Sequence, residues 1–195
     1  PPGEVDIEKK AFAEKLGFPF WLGLGRVSRG RVRVESGEGE AGIEEMQQAM
    51  AELAGIGSAI AAPGVLFLLA EGLRKVERHD EALDALAIGV ARAELQQQHF
   101  YDAELHRLHA EILLETAADA VGMAEALFGQ SLDSARRQEA KTFELRAATS
   151  LARLWQRQGK RDAARALLAP VYAWFTEGFD TRDLINAKAL LDDLA

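Results

Sequence analysis

FELRAATSLARLWQRQGKRDAARALLAPVYAWF, residues 143–175, decides the fold. Helical periodicity runs from Phe143 to Gln158 and Gly159-Lys160 form a turn. A second helix then opens at Arg161, with Leu167, Leu168, Val171 and Phe175 expected to be buried. Asp162-Ala163-Ala164 marks the start of that second helix. The same mark stands at Glu40-Ala41, Glu81-Ala82 and Glu125-Ala126, and alanines 41, 82, 126 and 164 recur 41, 44 and 38 residues apart. One helical hairpin is therefore repeated along the chain, which is the signature of a solenoid.

Working outward, hairpins are expected over residues 18–55, 58–97, 99–139 and 141–177. In the first, Trp21, Gly25, Ser28 and Val32 form one stripe of a helix from Phe18 to Ser36. Gly37 and Gly39 make the turn, and Ile43, Met46, Met50 and Leu53 point inward from the return helix. Pro63 fits a first helical turn in the second hairpin, Asp80 is its expected N-cap, and Leu83, Leu86, Val90 and Ala93 repeat at core spacing. The third places Tyr101, Leu105, Leu108 and Ile112 on one face, then an excess of residues around Thr116 to Val121, then Met123, Leu127, Leu132 and Ala135. Trp155, Trp174 and Phe175 read as core aromatics, and Gly178 as a helix stop with Asp180 or Thr181 capping the final helix. That helix, over 181–194, closes the stack, with Leu184, Ala187, Leu191 and Leu194 inward. An amphipathic helix over 5–16 has no partner before it.

The 31 acidic against 23 basic residues give a net charge of −8, which disfavours nucleic acid and anionic membranes. Cysteine is absent, so disulfides, thiolate catalysis and cysteine-ligated metals are excluded. No apolar run is long enough to span a bilayer, and a cytoplasmic location is expected. Pro1-Pro2-Gly3 opens the chain without methionine, which points to a piece of something longer.

Trp21-x-x-Leu24-Gly25 resembles the opening of a tetratricopeptide repeat. FYDAELHRLHAEILLE (100–115) and the stretch 144–194, most specifically Trp174 to Thr181, resemble the C-terminal region of bacterial signalling proteins. Those proteins carry a STAND-type ATPase and often a class III adenylate or guanylate cyclase domain. Gly122, Met123 and the arginine-rich first helix depart from that pattern. The resemblance implies an all-α, right-handed superhelix of about four degenerate tetratricopeptide-like hairpins with a C-terminal capping helix, a single domain over 1–195. It also implies a non-catalytic interaction or sensory module. The chain itself has no Gly-x4-Gly-Lys-Ser/Thr phosphate loop, and Gly23-x-Gly25 lacks the third glycine of a dinucleotide fingerprint.

The charges supply the candidate sites. Arg26, Arg29 and Arg33 share one helix face, as do Arg146, Arg153 and Arg157. In a tetratricopeptide superhelix the first helix of each pair lines the concave side, so both stripes would face the groove. Arginine holds carboxylate or phosphate in a bidentate manner, which suits an acidic protein or peptide partner. The alternative is a solvated face neutralised by Glu35, Glu104 or Glu144. A second functional reading is a sensor whose groove takes a small effector. His106 and His109 share a helix face with Asp102 nearby, but spacing for a third and fourth metal ligand is missing. No catalytic residue, metal or cofactor is expected. Finally, the unpartnered helix 5–16 predicts a homodimer through Ile7, Ala11 and Phe12.

Overall fold

The computed structural model describes residues 18–57, 62–117 and 119–195. The expected helix 5–16, with Ile7, Ala11 and Phe12, lies outside the described residues, as do residues 58–61 of the second hairpin. Among the described residues there are helices and no strand: α1 (Pro19–Glu35), α2 (Gly39–Gly55), α3 (Ala62–Lys75), α4 (His79–Gln96), a 3-10 turn (His99–Tyr101), α5 (Asp102–Thr116), α6 (Val121–Arg137), α7 (Lys141–Arg157), α8 (Arg161–Ala173) and α9 (Arg182–Asp193). Packing pairs α1 with α2, α3 with α4, α5 with α6 and α7 with α8, and α9 rests on α7 and α8.

Five helices end in one geometry. The backbone N–H of Glu38, Arg78, Gln98 and Ala140 donates to the carbonyl of Arg33, Leu73, Ala93 and Ala135, each at 2.9 Å, and that of Lys160 to Trp155 at 2.8 Å. Each bond spans a left-handed residue: Gly37, Glu77, Gln97, Glu139 and Gly159, with φ between 53° and 93°. The left-handed residue turns the chain so that orphan carbonyls are satisfied, and glycine reaches it without steric cost. Only two of the five are glycine, so the other three stops carry no glycine signal. Asp80, the expected cap of α4, lies in its first turn while Arg78 holds the N-cap position. There its carboxylate complements the positive end of the helix. Thr181 does stand at the N-cap of α9, but its hydroxyl donates back to the Gly178 carbonyl at 2.7 Å.

The chain divides into two compact units, Pro1–Tyr101 and Asp102–Ala195. In the first unit α1 turns Gly23, Val27, Gly30 and Val34 inward. This corrects the expected stripe: Trp21 is 61% and Val32 55% exposed, and Gly25 and Ser28 face solvent with them. The reason is steric. A Cβ on Gly30 would stand 2.5 Å from Met46 Cγ and 2.7 Å from the Gly42 carbonyl oxygen, so α1 and α2 touch backbone to backbone. Glycine, which contributes nothing to hydrophobic periodicity, therefore marks the inner face. From α2, Ile43, Met46, Ala49 and Leu53 are buried and Met50 is half-buried. On α4 the buried residues are Ala82, Ala85, Leu86 and Ala93, with Leu83 and Val90 half-buried. Tyr101 sits half-buried in the 3-10 turn and stacks on Phe67, ring centroids 5.8 Å apart.

In the second unit Ala110 of α5 and Ala124, Phe128 and Leu132 of α6 share a core with Leu145, Leu151, Leu168, Leu184 and Leu194, and Leu105, Leu108 and Ile112 of α5 and Ala135 of α6 are also buried. Met123, expected inward, is 61% exposed. It stands next to buried Ala124, and one residue turns a helix by about 100°. Trp174 is corrected in the same way, at 58% exposure. The inward stripe of α8 is Ala164, Leu168 and Val171, so half-buried Phe175 continues it and Trp174 falls beside it. Trp155 is half-buried and donates its indole N–H to Glu125 at 2.7 Å.

Candidate functional site

The first unit gathers Arg26, Arg29 and Arg33 against α2. Glu45 is buried, and it accepts from Arg29 Nε at 2.6 Å and from Arg33 Nη1 at 3.4 Å. Arg33 also donates to Glu38 at 2.8 and 3.0 Å, and Arg26 reaches Glu52 and Gln48. Burial pushes the Glu45 carboxyl up, but hydrogen bonds and charge from Arg29 and Arg33 outweigh it and hold its pKa below the ordinary value. Arg26, Arg29, Arg33, Glu38, Glu45 and Gln48 rim an open cleft of about 580 Å³. A second open cleft of about 700 Å³ lies at the α1–α2 turn, lined by Val34, Glu35, Lys75 and Val76 among others. On the opposite flank of α1, Arg31 pairs with Glu71 at 3.3 Å and Lys75 with Glu35.

The second unit builds a denser network where α5, α7 and α9 meet. Glu104 is 1% exposed and receives both Nε (2.8 Å) and Nη2 (3.0 Å) of Arg107. Arg107 Nη1 also reaches Glu111 at 2.7 Å, and the Ser150 hydroxyl donates to the same Glu111 oxygen at 2.6 Å. Arg146 completes the set, with Nη1 3.2 Å from Glu104 and Nε 2.7 Å from Asp183. Burial disfavours the charged form of Arg107. Glu111 and Glu104 more than offset it, so its pKa is raised. Arg146 is raised likewise, its burial outweighed by Asp183 and Glu104. A buried charge pair survives only when each lone pair and proton finds a partner, which this network provides.

The predicted arginines therefore separate by role. Arg26, Arg29 and Arg33 come together but are tied to Glu45, Glu38 and Glu52, and Arg146 is tied to Glu104 and Asp183. Arg153 and Arg157 stand exposed further along the same α7 stripe. They are a turn apart, close enough to grip one anion together. Sequence reasoning named Glu104 as a neutralising carboxylate but missed Glu45, because its partners come from another helix. His109 is half-buried, and burial with the neighbouring charge of His106 holds its pKa below the ordinary value. Among the described residues no group of three or more His, Asp or Glu is arranged to hold a metal ion. No described helix is long and apolar enough to cross a membrane.

No family model and no curated protein sequence matches the chain. Solved structures do. BtubC (BKLC) from P. vanneervenii superposes with a TM-score of 0.76 at 15% identity, covering 98% of this chain and 87% of that one. A putative kinesin light chain from P. anserina, with nearly identical TPR-like repeats, gives a TM-score of 0.66 at 18% identity, covering 87% and 82%. At such identities the likeness shows the fold: this chain is built of tetratricopeptide-like helical repeats.

Proposed function

We propose that this chain is a non-catalytic protein-interaction module that binds an acidic segment of a partner along α7. The observation that carries this reading is the pair Arg153 and Arg157, exposed on the stripe of α7 whose third arginine, Arg146, is locked in place by Glu104 and Asp183. A fixed Arg146 network gives a rigid base, and two exposed guanidinium groups beside it supply bidentate donors for carboxylates. The arginines of the first unit are a secondary contact, since an acidic ligand there would have to displace Glu38 or Glu45. The resemblance of residues 100–115 and 144–194 to the tails of bacterial signalling proteins supports placing the module beside a STAND-type ATPase or nucleotide cyclase. The effector-sensor alternative gains less, because the clefts beside α1 are open and rimmed by charge, whereas small-molecule sites are enclosed and mostly apolar.

The test is fluorescence polarisation with a labelled Asp/Glu-rich peptide, with a Lys-rich peptide of equal length as control. The acidic peptide binds, binding falls steeply with salt, and Arg153→Ala with Arg157→Ala weakens it at least tenfold. Equal binding of the two peptides, or no effect of the double substitution, would remove the proposal.

A further inference from the structure

The end of α7 and the start of α8 concentrate positive charge in a chain that is acidic as a whole. Residues 153–165 hold Arg153, Arg157, Lys160, Arg161 and Arg165 against one carboxylate, Asp162, a net charge of +4 where the whole chain carries −8. All five cations are exposed. Arg78 and Arg136, by contrast, are matched by the carboxylates of Glu81 and Glu144. At the α7–α8 turn the partners compensate less. Arg161 Nη2 donates to the Asp193 carbonyl and Arg165 Nη1 to the Leu191 carbonyl at 3.4 Å, and a backbone carbonyl carries no net charge. Lys160 stands 3.7 Å from Glu125. The two arginine pairs also share one side of the unit, as α9 shows. Its first turn meets Arg146 through Asp183, and its last turn meets Arg161 and Arg165 through those two carbonyls. α9 therefore runs alongside α7 in the same direction. Arg153 and Arg157 continue the Arg146 stripe toward the end of α9 where Arg161 and Arg165 sit.

We propose that the acidic segment bound at Arg153 and Arg157 continues past the Gly159 turn onto α8, where Arg161 and Arg165 grip its second half. This extension rests on the acidic-segment reading and specifies its ligand: an extended run of about eight acidic residues rather than a single carboxylate pair. Geometry sets the length. Arg153 and Arg157 are about 6 Å apart along α7, as are Arg161 and Arg165 along α8. Packed helix axes lie about 8–10 Å apart, so the path over the four arginines is roughly 20 Å. An extended chain rises roughly 3.3 Å per residue and crosses that path in about six residues. Alternate side chains of such a chain face the same way, so about eight residues present four carboxylates to the four arginines. Binding leaves the contacts to α9 in place, because each guanidinium has N–H donors beyond the one engaged there. Lys160 lies between the two pairs in sequence and adds a point charge at the turn. The whole path is exposed, so its ion pairs are screened and the affinity falls with salt.

The test compares labelled peptides of about four and about eight consecutive glutamates by fluorescence polarisation on the full chain. The longer peptide binds about tenfold more tightly, because two further arginines engage it. Arg161→Gln with Arg165→Gln removes both charges, keeps amide donors for the α9 carbonyls, and removes most of that gain. Arg161→Lys with Arg165→Lys keeps the charges and most of the gain. Arg31→Gln with Arg92→Gln takes two exposed cations from the first unit and leaves the gain in place, which separates this patch from net charge. Circular dichroism of each variant checks that the fold persists. Equal affinity for the two peptides, a gain that survives Arg161→Gln with Arg165→Gln, or an equal loss in the Arg31 and Arg92 control overturns the extension onto α8. Binding of the shorter peptide that still depends on Arg153 and Arg157 would then leave the acidic-segment reading standing. Failure of both peptides to bind removes the reading and its extension together.

Discussion

Gly25 and Gly30 lie five residues apart on one helix and answer opposite questions. Alanine at Gly25 adds a methyl group to open space and removes the entropy cost of glycine, so Gly25→Ala stabilises the fold by about 1 kcal/mol. Alanine at Gly30 drives the same methyl group into Met46 and the Gly42 carbonyl, and Gly30→Ala is destabilising. Urea melts of the two variants at low concentration should move in opposite directions. The aromatic residues divide as sharply. Trp174 is exposed and only rests beside Phe175 and under Lys141, so Trp174→Ala costs less than about 1 kcal/mol. Phe128 is 1% exposed and Phe128→Ala costs about 3–5 kcal/mol. Similar denaturation midpoints for the two would contradict the assigned core. Glu139, left-handed at φ 54°, offers a gain: Glu139→Gly relieves steric strain by more than the entropy it adds to the unfolded chain, about 0.5–1 kcal/mol in net.

At the scale of single helices, stability and pH dependence come from carboxylates trapped against arginines. Removing Arg107 leaves Glu104 buried with Arg146 as its remaining partner, so Arg107→Ala costs about 3–5 kcal/mol, more than any exposed pair would. Glu45 and Glu144 share a pH signature. Burial raises the Glu144 carboxyl, and hydrogen bonds from Lys141 and Arg136 lower it further than burial raises it, as Arg29 and Arg33 do for Glu45. A carboxylate lowered on folding contributes stability that is present above its unfolded value of 4.5 and is lost as pH falls through the folded value. Thermal midpoints should therefore hold from pH 7 to about 5 and drop below 4.5, and Glu45→Gln should flatten that drop. A midpoint independent of pH between 5 and 3 would remove both groups from the account. Helix positions were legible in the sequence because leucine and alanine recur at helical spacing in α5, α7 and α9. The inner face of α1 was not, because glycine marks it while Trp21 and Val32 carry hydrophobicity on the outer face. The arginine stripes were legible as stripes, but the carboxylates that hold Arg29 and Arg146 come from α2, α5 and α9, and long-range pairing leaves no local trace.

For the molecule as a whole, the charge network of the second unit and the core cluster from Ala110 to Leu194 lie in one stretch of chain. Glu104, Arg107, Glu111, Arg146, Ser150 and Asp183 of the network all lie within Asp102–Ala195. The core of that unit runs from Ala110 to Leu194. A chain beginning at Asp102 keeps those network residues and that core together, which is what a repeat segment needs when its stability is the sum of its own hairpins and their mutual interfaces. The fragment 102–195 should therefore fold alone, with a helical circular dichroism spectrum and a cooperative thermal transition. It also contains both Arg153 and Arg157, so it should bind the acidic peptide within about threefold of the full chain, a difference of less than 1 kcal/mol. A broad, non-cooperative melt would show that the hairpins before Asp102 are needed to hold α5 in place. Peptide binding lost from a well-folded fragment would instead move the binding surface toward Arg26, Arg29 and Arg33.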